Sequence, residues 1–396
     1  MSNSTLVTSD EYQIFPSKYA YLVPYFNSEF HGRVTRIELD LKGKKRPRPA
    51  RFLEFSDYET PNGIGPYANQ VTVIDMAAVD PAFKGFYGGF TAFSKAKIDN
   101  FSSGSVEVLD LAAINPHYVG FSSAITYGNY TFLVPFRRSL DGLTMNLREF
   151  PVSNSGLVVR IDLTTFRVAG SLDLAEVHPD LCGFSGAVTV THYAYFVPYM
   201  RVREPASQEL NPYSGLVARV NLRDFVSVQY LNLTAVDSGL RGFMRGFAYR
   251  QYVFLVPHRA LFLDPKGPTQ SGKVARIDTN NFTPSGVSYL DLTTALRSQV
   301  PNFADSDLRG FSGGVVSGKY GFFIPYFNGA TFSGKVCRIN LDKFDEVQTL
   351  DLTQLDSELR GFADGIVSKV EEALEANLFD EFQIRVGTTD PYDYKY

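Results

Sequence analysis

Tryptophan is absent from this chain of 396 residues, which also contains only two cysteines and five histidines. Cys182 and Cys337 each stand in a recurring phrase where the sister phrases carry other residues, so we expect free thiols and no disulfide framework. Charged residues are few as well, at 20% of the chain, and the net charge is −4. Because nucleic-acid-binding domains are usually basic, we expect no nucleic-acid partner.

Long apolar runs are also missing. No stretch reaches the roughly 18 apolar residues of a membrane-spanning helix, so we expect a soluble protein with no membrane span. Residues 1–15 contain neither the basic nor the apolar region of a secretion signal. The sequence leaves the compartment unknown, and these features favour the cytoplasm.

Internal repetition dominates what is present. Four short phrases recur in a fixed order about every 60 residues, and six such repeats fill most of the chain. One complete set reads GFSGAV (183–188), YAYFVPY (193–199), GLVARVNL (215–222) and YLNL (230–233). The phrases are rich in Val, Ile, Phe and Tyr and are separated by Gly, Pro, Asn and Asp, which is typical of β-strands.

Six repeats of four strands predict an all-β, six-bladed β-propeller, because a four-stranded blade cannot bury both of its faces alone and must stack against its neighbours. In each blade we expect the Gly-Phe phrase to form the innermost strand, followed outward by the other three phrases in chain order. Residues 1–18 are then an N-terminal arm, 19–367 the propeller with a loop insertion at 40–70, and 368–396 a short C-terminal helix and tail.

The two ends of the chain indicate how such a ring closes. The first phrase, at 19–25, is a second strand, and the last Gly-Phe phrase, at 361–367, is an innermost strand. We therefore expect 361–367 to complete the blade of the first repeat, which joins N- and C-terminal strands in one sheet and removes open edges. Residues 369–382 read as an amphipathic helix.

The second repeat, around residues 86–111, lacks the LVPY phrase and is shorter than the others. It predicts one incomplete blade, which is three-stranded, rearranged or filled by another segment such as the C-terminal extension. The incomplete blade and the C-terminal tail are also the places where we expect any self-association, through a strand that passes between copies.

A Tyr-rich second strand followed by a basic-Ile-Asp third strand resembles the six-bladed propellers of the YWTD and NHL type. The wider group includes calcium-dependent lactonases and strictosidine-synthase-like proteins. The resemblance covers most of 19–367 as strand order and residue class, but the YWTD tetrapeptide is absent and VPY stands where TD would be. It implies the fold and no function, since such propellers serve as enzymes, receptors and scaffolds alike.

The strongest candidates for a ligand site precede the Gly-Phe phrases, in loops that the predicted fold gathers at one mouth of its channel. Three repeats share D-x-x-L-R-G-F, and the others depart from it. Two interpretations stand side by side: a basic arc that binds an anion, and a structural Asp–Arg clasp between blades, which the recurrence favours. The candidate anion-site residues are Lys84, Arg241, Arg309, Arg360, His178 and Asn115.

Catalytic signals are weak. His178 and Cys182 form an i, i+4 pair without a visible third member, and the chain contains no P-loop, HExxH or GxSxG motif. We therefore expect no catalytic residue, no metal and no cofactor. The basic residue of each third strand, such as Arg219, is expected to pair with the Asp or Asn of the neighbouring outer strand, such as Asn232.

These features favour a non-catalytic binding or scaffold propeller that presents its loop faces to a protein or glycan partner. Two alternatives remain open. One is a metal-dependent hydrolase or lactonase, which requires acidic and amide ligands that converge at the channel mouth. The other is a self-assembling structural protein.

Overall fold

The computed structural model describes residues 19–22, 26–27, 29–30, 33–38, 71–75, 109, 111–118, 120–138, 153–201, 212–260, 269–300, 308–357, 359–367 and 382–385. The described strands fall into two units, which we take in turn.

The first unit contains one three-stranded antiparallel sheet and one short hairpin. Its strands are β1 (Tyr19–Leu22), β2 (Phe26–Asn27), β3 (Glu29–Phe30), β4 (Arg33–Glu38) and β5 (Val71–Asp75). The sheet has the order β1-β4-β5, and β2 pairs with β3. This is the order predicted for the second, third and outer strands of the first repeat.

The second unit begins with a short helix, α1 (Leu111–Ile114), and continues as four consecutive four-stranded antiparallel sheets. Sheet 1 and its side hairpin β8-β9 are made of β6 (Phe121–Tyr127), β7 (Tyr130–Pro135), β8 (Arg137–Arg138), β9 (Ser153–Asn154), β10 (Leu157–Asp162) and β11 (Arg167–Asp173). Sheet 2 is made of β12 (Phe184–Val190), β13 (Tyr193–Pro198), β14 (Leu216–Asn221) and β15 (Val228–Asn232).

The next two sheets repeat the arrangement. Sheet 3 is made of β16 (Phe243–Tyr249), β17 (Tyr252–Pro257), β18 (Lys273–Asp278) and β19 (Val287–Asp291). Helix α2 (Leu292–Gln299) then leads to sheet 4, made of β20 (Phe311–Ser317), β21 (Tyr320–Pro325), β22 (Lys335–Asn340) and β23 (Val347–Asp351). The single-turn 3-10 helices are Leu174–Glu176, Leu233–Ala235, Pro284–Gly286 and Leu352–Gln354.

In each of these four sheets the hydrogen-bonded order of the strands is their order in the chain. The predicted all-β class is confirmed, and so is the order of the four phrases within these four repeats. The first strands of consecutive sheets lie beside one another, in the order β6, β12, β16 and β20.

Hydrophobic cores lie between consecutive sheets. Along β13, Ala194 and Phe196 belong to the core shared with sheet 1, whereas Tyr195 and Val197 belong to the core shared with sheet 3. Successive strand residues point to opposite faces, so a strand that is buried on both faces needs apolar residues throughout. This requirement explains why the LVPY phrases are apolar along their whole length.

The Ser-Gly pair that opens each third strand marks a close approach between sheets. A Cβ atom on Gly272 would lie 2.3 Å from the carbonyl oxygen of Leu308, and one on Gly215 would lie 2.5 Å from that of Leu240. Real Cβ atoms do not approach so closely, so only glycine fits here. The two leucines are fully buried and belong to the L-R-G-F sequence of the connection to the next sheet.

In sheets 1–4 the basic residue of the third strand bonds to the outer strand, as predicted, but to another residue than the recurring Asp or Asn. Arg219 Nε donates to Gln229 Oε1 and Arg276 Nε donates to Ser288 Oγ, each at 2.9 Å. The guanidinium of Arg219 lies between the rings of Tyr193, 4.9 Å away, and Phe282 of sheet 3, 4.4 Å away. Arg276 is held in the same way, at 4.8 Å from Tyr252 and 4.4 Å from Phe344 of sheet 4. Each stack therefore joins two sheets through cation–π contacts.

The outer-strand Asp or Asn instead caps the helical turn that follows it. The side chain of Asp173 accepts a hydrogen bond from the Ala175 N–H, and that of Asn232 accepts one from Thr234 N–H. Side-chain oxygens in this position satisfy N–H groups that lack a partner within the turn. The recurrence of Asp or Asn here has a purely local cause.

The C-terminal segment departs from the prediction. Strand β24 (Asp364–Val367) pairs antiparallel with β25 (Phe382–Arg385), a pairing that the sequence did not predict. Closure of the ring by 361–367 and the first repeat stays a prediction. Phe382, assigned above to an amphipathic helix, begins a strand. A partner that follows within twenty residues costs little loop-closure entropy, which favours this local pairing.

Several predictions lie outside the described residues. They are the N-terminal arm, the 40–70 insertion, Lys84, most of the incomplete repeat around 86–111, residues 369–381 of the predicted helix, and the tail after 385. Within the part of the chain that the structure describes, no helix is long and apolar enough to cross a membrane.

Candidate functional site

One end of the four sheets carries residues that differ between repeats, and we call it the proline end. It is defined by Pro135, Pro198, Pro257 and Pro325, which end the second strands. The first strands start at the same end, since Phe184 pairs with Pro198 and Phe311 pairs with Pro325. The connections between sheets arrive at this end for that reason.

An aromatic row runs across the proline end, with one ring from each sheet. The row consists of Phe136, Tyr199, His258 and Tyr326, each directly after a proline. Neighbouring ring centroids are 6.1, 5.9 and 6.1 Å apart. Tyr213 and Met244 pack against the row, and both are buried. The repeat unit thus builds a continuous row of rings from single residues in separate sheets, and Tyr199, His258 and Tyr326 in that row are buried.

Below the row, a serine hydroxyl joins each sheet to the next. Ser122 Oγ donates to the Phe184 carbonyl at 2.8 Å, and Ser185 Oγ donates to the Phe243 carbonyl at 2.9 Å. Ser312 Oγ donates to the Phe362 carbonyl at 2.6 Å. These bonds are buried and connect first strands of consecutive repeats. Their loss would leave a buried carbonyl without its partner.

Sheet 3 departs from this pattern at two positions together. Met244 replaces the serine, and His258 replaces the Phe or Tyr of the aromatic row. Nδ1 of His258 donates to the Phe311 carbonyl at 2.8 Å, which is the bond that a serine makes in the other three sheets. His258 therefore supplies the hydrogen bond that the serine hydroxyl supplies in the other sheets. Met244 packs against Tyr199 and Tyr213.

His258 is held neutral. A carbonyl only accepts, so the hydrogen bond to Phe311 requires a proton on Nδ1. Burial, helped by the positive charge of Arg259, lowers the pKa of His258 to about 3. Nε2 then carries a lone pair, and this buried atom makes no hydrogen bond within the described part of the chain. The side chain is 2% exposed.

The inner strands carry a second polar feature, one residue beyond Met244. Arg245 of β16 forms an ion pair with Asp364 of β24. The position equivalent to Arg245 in β20 is Gly313, where a Cβ atom would lie 3.0 Å from Asp364 Oδ1. Arg245 also has φ +59°, a left-handed conformation that is uncommon outside glycine. The ion pair is partly exposed. It reaches from β16 past Gly313 of β20 to β24.

The predicted anion-site residues lie on equivalent connections between sheets, and three of them make short-range hydrogen bonds. Asn115 Oδ1 accepts from His117 N–H at 2.9 Å, and His178 Nδ1 accepts from Asp180 N–H at 3.1 Å. Arg241 Nε donates to the carbonyl of Ser238 at 2.8 Å. Arg309 is half-buried, Arg360 is exposed, and Lys84 lies outside the described residues. A basic arc stays a prediction.

The Asp–Arg clasp takes a different form. Asp237 bonds to Lys273 of sheet 3, with both carboxylate oxygens 2.8 Å from Nζ, and its Oδ1 accepts from Gly239 N–H. Burial raises the pKa of Asp237, but these hydrogen bonds outweigh it and hold the pKa below its usual value. Between sheets 2 and 3, the acid of the shared motif is therefore paired with a lysine of the third strand. An Asp–Arg clasp in the other repeats stays a prediction.

Asn115, His178 and Asp237 turn out to share one role, because each accepts a hydrogen bond from the N–H two residues ahead. Asn, Asp and a neutral His ring all serve as such acceptors. The variation that singled out Asn115 and His178 as site residues is thus a choice among equivalent turn caps. His178 also packs on Tyr230, with ring centroids 5.2 Å apart, and Cys182 is buried.

Metal ligands do not cluster in the part of the chain that the structure describes: no three His, Cys, Asp or Glu side chains there are placed to hold an ion. The residues that the sequence prediction overlooked are His258, Met244 and Arg245. A signal for them was present, since all three break the repeat pattern within or directly after the phrases of a single repeat.

The comparisons with known proteins add no family. No protein-family model matches the chain, and no curated protein does. Among solved structures, the computationally designed Ika8 protein is 8% identical with a TM-score of 0.35 over 64% of this chain. U3-55K is 8% identical with a TM-score of 0.34 over 59% of this chain. The matched part spans about half of each of those chains, 54% and 53%.

Proposed function

We propose that the six repeats form a six-bladed β-propeller that acts as a non-catalytic scaffold and binds a protein or glycan partner at the proline end. The four meander sheets with adjacent first strands support the propeller. Side-chain bonds and cation–π stacks between consecutive sheets support a rigid frame, and rigid frames are where binding loops are usually displayed.

The observation that carries the proposal is that the longest and most variable connections lie at the proline end. First and second strands are joined by two residues in all four sheets (128–129, 191–192, 250–251 and 318–319). At the proline end, second and third strands are joined by 21 residues in sheet 1 (136–156) and by 9 in sheet 4 (326–334). At the opposite end, third and fourth strands are joined by 4 residues in sheet 1 (163–166) and by 8 in sheet 3 (279–286), a smaller spread. A rigid frame with its longest and most variable loops at one end is typical of recognition by loops.

The test is a binding screen of the purified chain on a glycan array and against a displayed peptide library. Shortening the connection 139–152, 202–211 or 261–268 to a tight turn is expected to abolish binding of any hit. Val226→Ser, an exposed turn residue away from the proline end, serves as the matched control and should bind as before.

Two results would overturn the proposal. Binding that survives all three shortened connections would place the partner elsewhere on the chain. A stoichiometric divalent metal in native mass spectrometry, together with turnover of lactones, would establish the hydrolase alternative instead.

A further inference from the structure

The C-terminal hairpin β24-β25 begins a fifth sheet beside sheet 4. β24 lies next to β20, as each first strand lies next to the one before it. Its Gly-Phe phrase is also attached to sheet 4 in the usual way, since Gly361 N–H donates to the Ser333 carbonyl at 3.0 Å. Gly183, Gly242 and Gly310 make the equivalent bond to the preceding sheet. β24 therefore has the place of a first strand.

β25 has the place of the second strand in this fifth sheet. Counted from the Gly-Phe phrase, it pairs with β24 in the register that joins first and second strands in sheets 1, 2 and 4. In that register Gln383 and Arg385 have the positions that Tyr195 and Val197 have in sheet 2.

The sequence of β25 does not suit a second strand that is buried on both faces. Tyr195 and Val197 are 1% and 0% exposed, because sheets 1 and 3 cover the two faces of β13. β25 brings an amide, Gln383, and a charge, Arg385, to these two positions. Burial of such groups between apolar sheets is costly unless each of them finds partners. We therefore expect β25 to hold this place weakly.

The first repeat contains a strand that suits the same place. Its phrase YAYLVPY (19–25) has Tyr21 and Val23 at the two positions. In its own sheet, β1 pairs with β4 in the register that joins β13 to β14. β1 forms the edge of that sheet, and within the described residues no first strand pairs with it. The described part of the first repeat thus lacks a first strand, whereas the hairpin β24-β25 lacks third and outer strands.

Sheet 4 also shows that its neighbour is incomplete. Leu231 of the outer strand β15 is 3% exposed and belongs to the core shared with sheet 3. Leu350 has the equivalent position in β23 and is 59% exposed. Third and outer strands of a complete fifth sheet would cover Leu350 as sheet 3 covers Leu231. The apolar surface that they would remove from water favours completion of the fifth sheet.

We propose that the edge of β24 is a strand-binding site for which β25 and β1 compete. One edge of a strand pairs with one partner at a time, so each of the two excludes the other. β25 is the exchangeable occupant, and β1 is the strand that completes the sheet, with Tyr21 opposite Ile366. Release of β25 closes the ring, and its return opens the ring. This inference rests on the propeller of the proposed function and adds a means of regulating its closure.

The experiment uses the full chain with three substitutions, A20C, V367C and F382C. Position 367 faces position 382 when β24 pairs with β25, and it faces position 20 when β24 pairs with β1 in the common register. Facing positions of antiparallel strands are close enough for a disulfide. The native thiols, Cys182 and Cys337, are buried. Equilibration in a glutathione buffer, proteolysis and mass spectrometry give the ratio of the 20–367 to the 367–382 disulfide.

The matched variant is Q383Y/R385V, which gives β25 the residues of β13 at the two positions. Q383N/R385K, which keeps an amide and a positive charge there, is the control. We expect both disulfides in the three-cysteine chain and in the control. In Q383Y/R385V the ratio is expected to shift at least about tenfold toward the 367–382 disulfide, because β25 then suits the buried place.

Four results would overturn the inference. The 367–382 disulfide alone in every chain would show that β1 does not compete, and the 20–367 disulfide alone would show that β25 does not hold the edge. An equal ratio in Q383Y/R385V and the control would show that the two positions do not decide the competition. A 20–367 disulfide that joins two chains would assign the edge to a second copy.

The failure of this inference is distinguishable from the failure of the proposed function. If a partner binds and requires the shortened connections, but the 20–367 disulfide never forms, recognition by the loops stands and the competition falls. If the disulfide ratio shifts as expected and no partner binds, the competition stands and the binding function falls.

Discussion

Sheet 3 and its sister sheets make the same contact with different residues. In sheets 1, 2 and 4 a serine hydroxyl reaches the phenylalanine carbonyl of the next repeat, and in sheet 3 the ring of His258 does so. The repeat therefore preserves a hydrogen bond and not a residue. The serine is replaced by Met244 only where another donor is available.

The exchange also has a consequence that the sister sheets avoid. A serine hydroxyl leaves nothing buried and unsatisfied, whereas His258 brings a second nitrogen into the core. Stability alone would favour serine at this position, because an orphaned acceptor is costly.

The largest loss of stability is expected at the Ser-Gly pair before the third strand, where sheet 3 has the same close contact as its sister sheets. Gly272→Ala places a Cβ atom on the Leu308 carbonyl, and Gly215→Ala does the same at Leu240, so each should lower the free energy of unfolding by about 3 kcal/mol. Gly318→Ala is the control, because its Cβ atom would meet nothing within 4 Å and only φ +54° opposes it. It should cost about 1 kcal/mol. Urea denaturation measures the free energy of unfolding of all three variants. A small loss for Gly272→Ala together with a large loss for Gly215→Ala would show that sheets 2 and 3 are not packed alike at this contact.

An acid-dependent loss of stability should distinguish sheet 3 from its sisters. Folded His258 has a pKa of about 3, while the unfolded side chain titrates near 6.5. The unfolded state therefore binds more protons between these values, and stability falls as pH falls through this window. From pH 7 to pH 5 wild type should lose about 2 kcal/mol more than M244S/H258F does. Parallel pH profiles for the two proteins would show that His258 is not held neutral.

The serine bonds should be worth about 1.5 kcal/mol each. Ser185→Ala removes the donor to the Phe243 carbonyl and the acceptor for Arg245 N–H, which are both part of the contact between sheets 2 and 3. A buried carbonyl that loses its partner costs about 1–3 kcal/mol. Thermal and urea unfolding of S185A give the value. An exposed serine, Ser238→Ala, is the control and should be neutral.

The smallest effect is expected at Arg245. Arg245→Gly removes a partly exposed ion pair, worth up to about 1 kcal/mol, and also removes the left-handed strain, which is worth a similar amount. The two changes oppose each other, so unfolding should shift by less than about 0.5 kcal/mol. Asp364→Asn breaks the pair without relieving the strain and should be the more destabilising of the two.

The frame was accessible from the sequence because its signals repeat. Strand phrases, their order within a sheet and the all-β class follow from residue types that recur in every repeat. The partners of Arg219 and Asp237 were not accessible, since their contacts, Phe282 and Lys273, lie in the next sheet and depend on how the sheets stack. Strand β25 was not predicted, and only its first residue, Phe382, lay in the predicted helix.

The site was less predictable than the frame. Asn115 and His178 attracted attention as breaks in a pattern, yet the structure gives them the same turn-capping role as Asp237. Met244 and His258 are separated by fourteen positions. Only the Phe311 carbonyl relates them, since His258 bonds to it in the place of the serine that Met244 replaces. That His258 compensates for the missing serine is evident only when the equivalent hydrogen bonds of the four sheets are compared.

A double-mutant cycle on Met244 and His258 tests this pairing most directly. H258F alone leaves the Phe311 carbonyl without a donor and should cost about 2 kcal/mol, and adding M244S should recover most of that loss. Urea denaturation of wild type, M244S, H258F and M244S/H258F gives the coupling energy. We predict a favourable coupling of about 2 kcal/mol, and additive effects of the two substitutions would contradict the account.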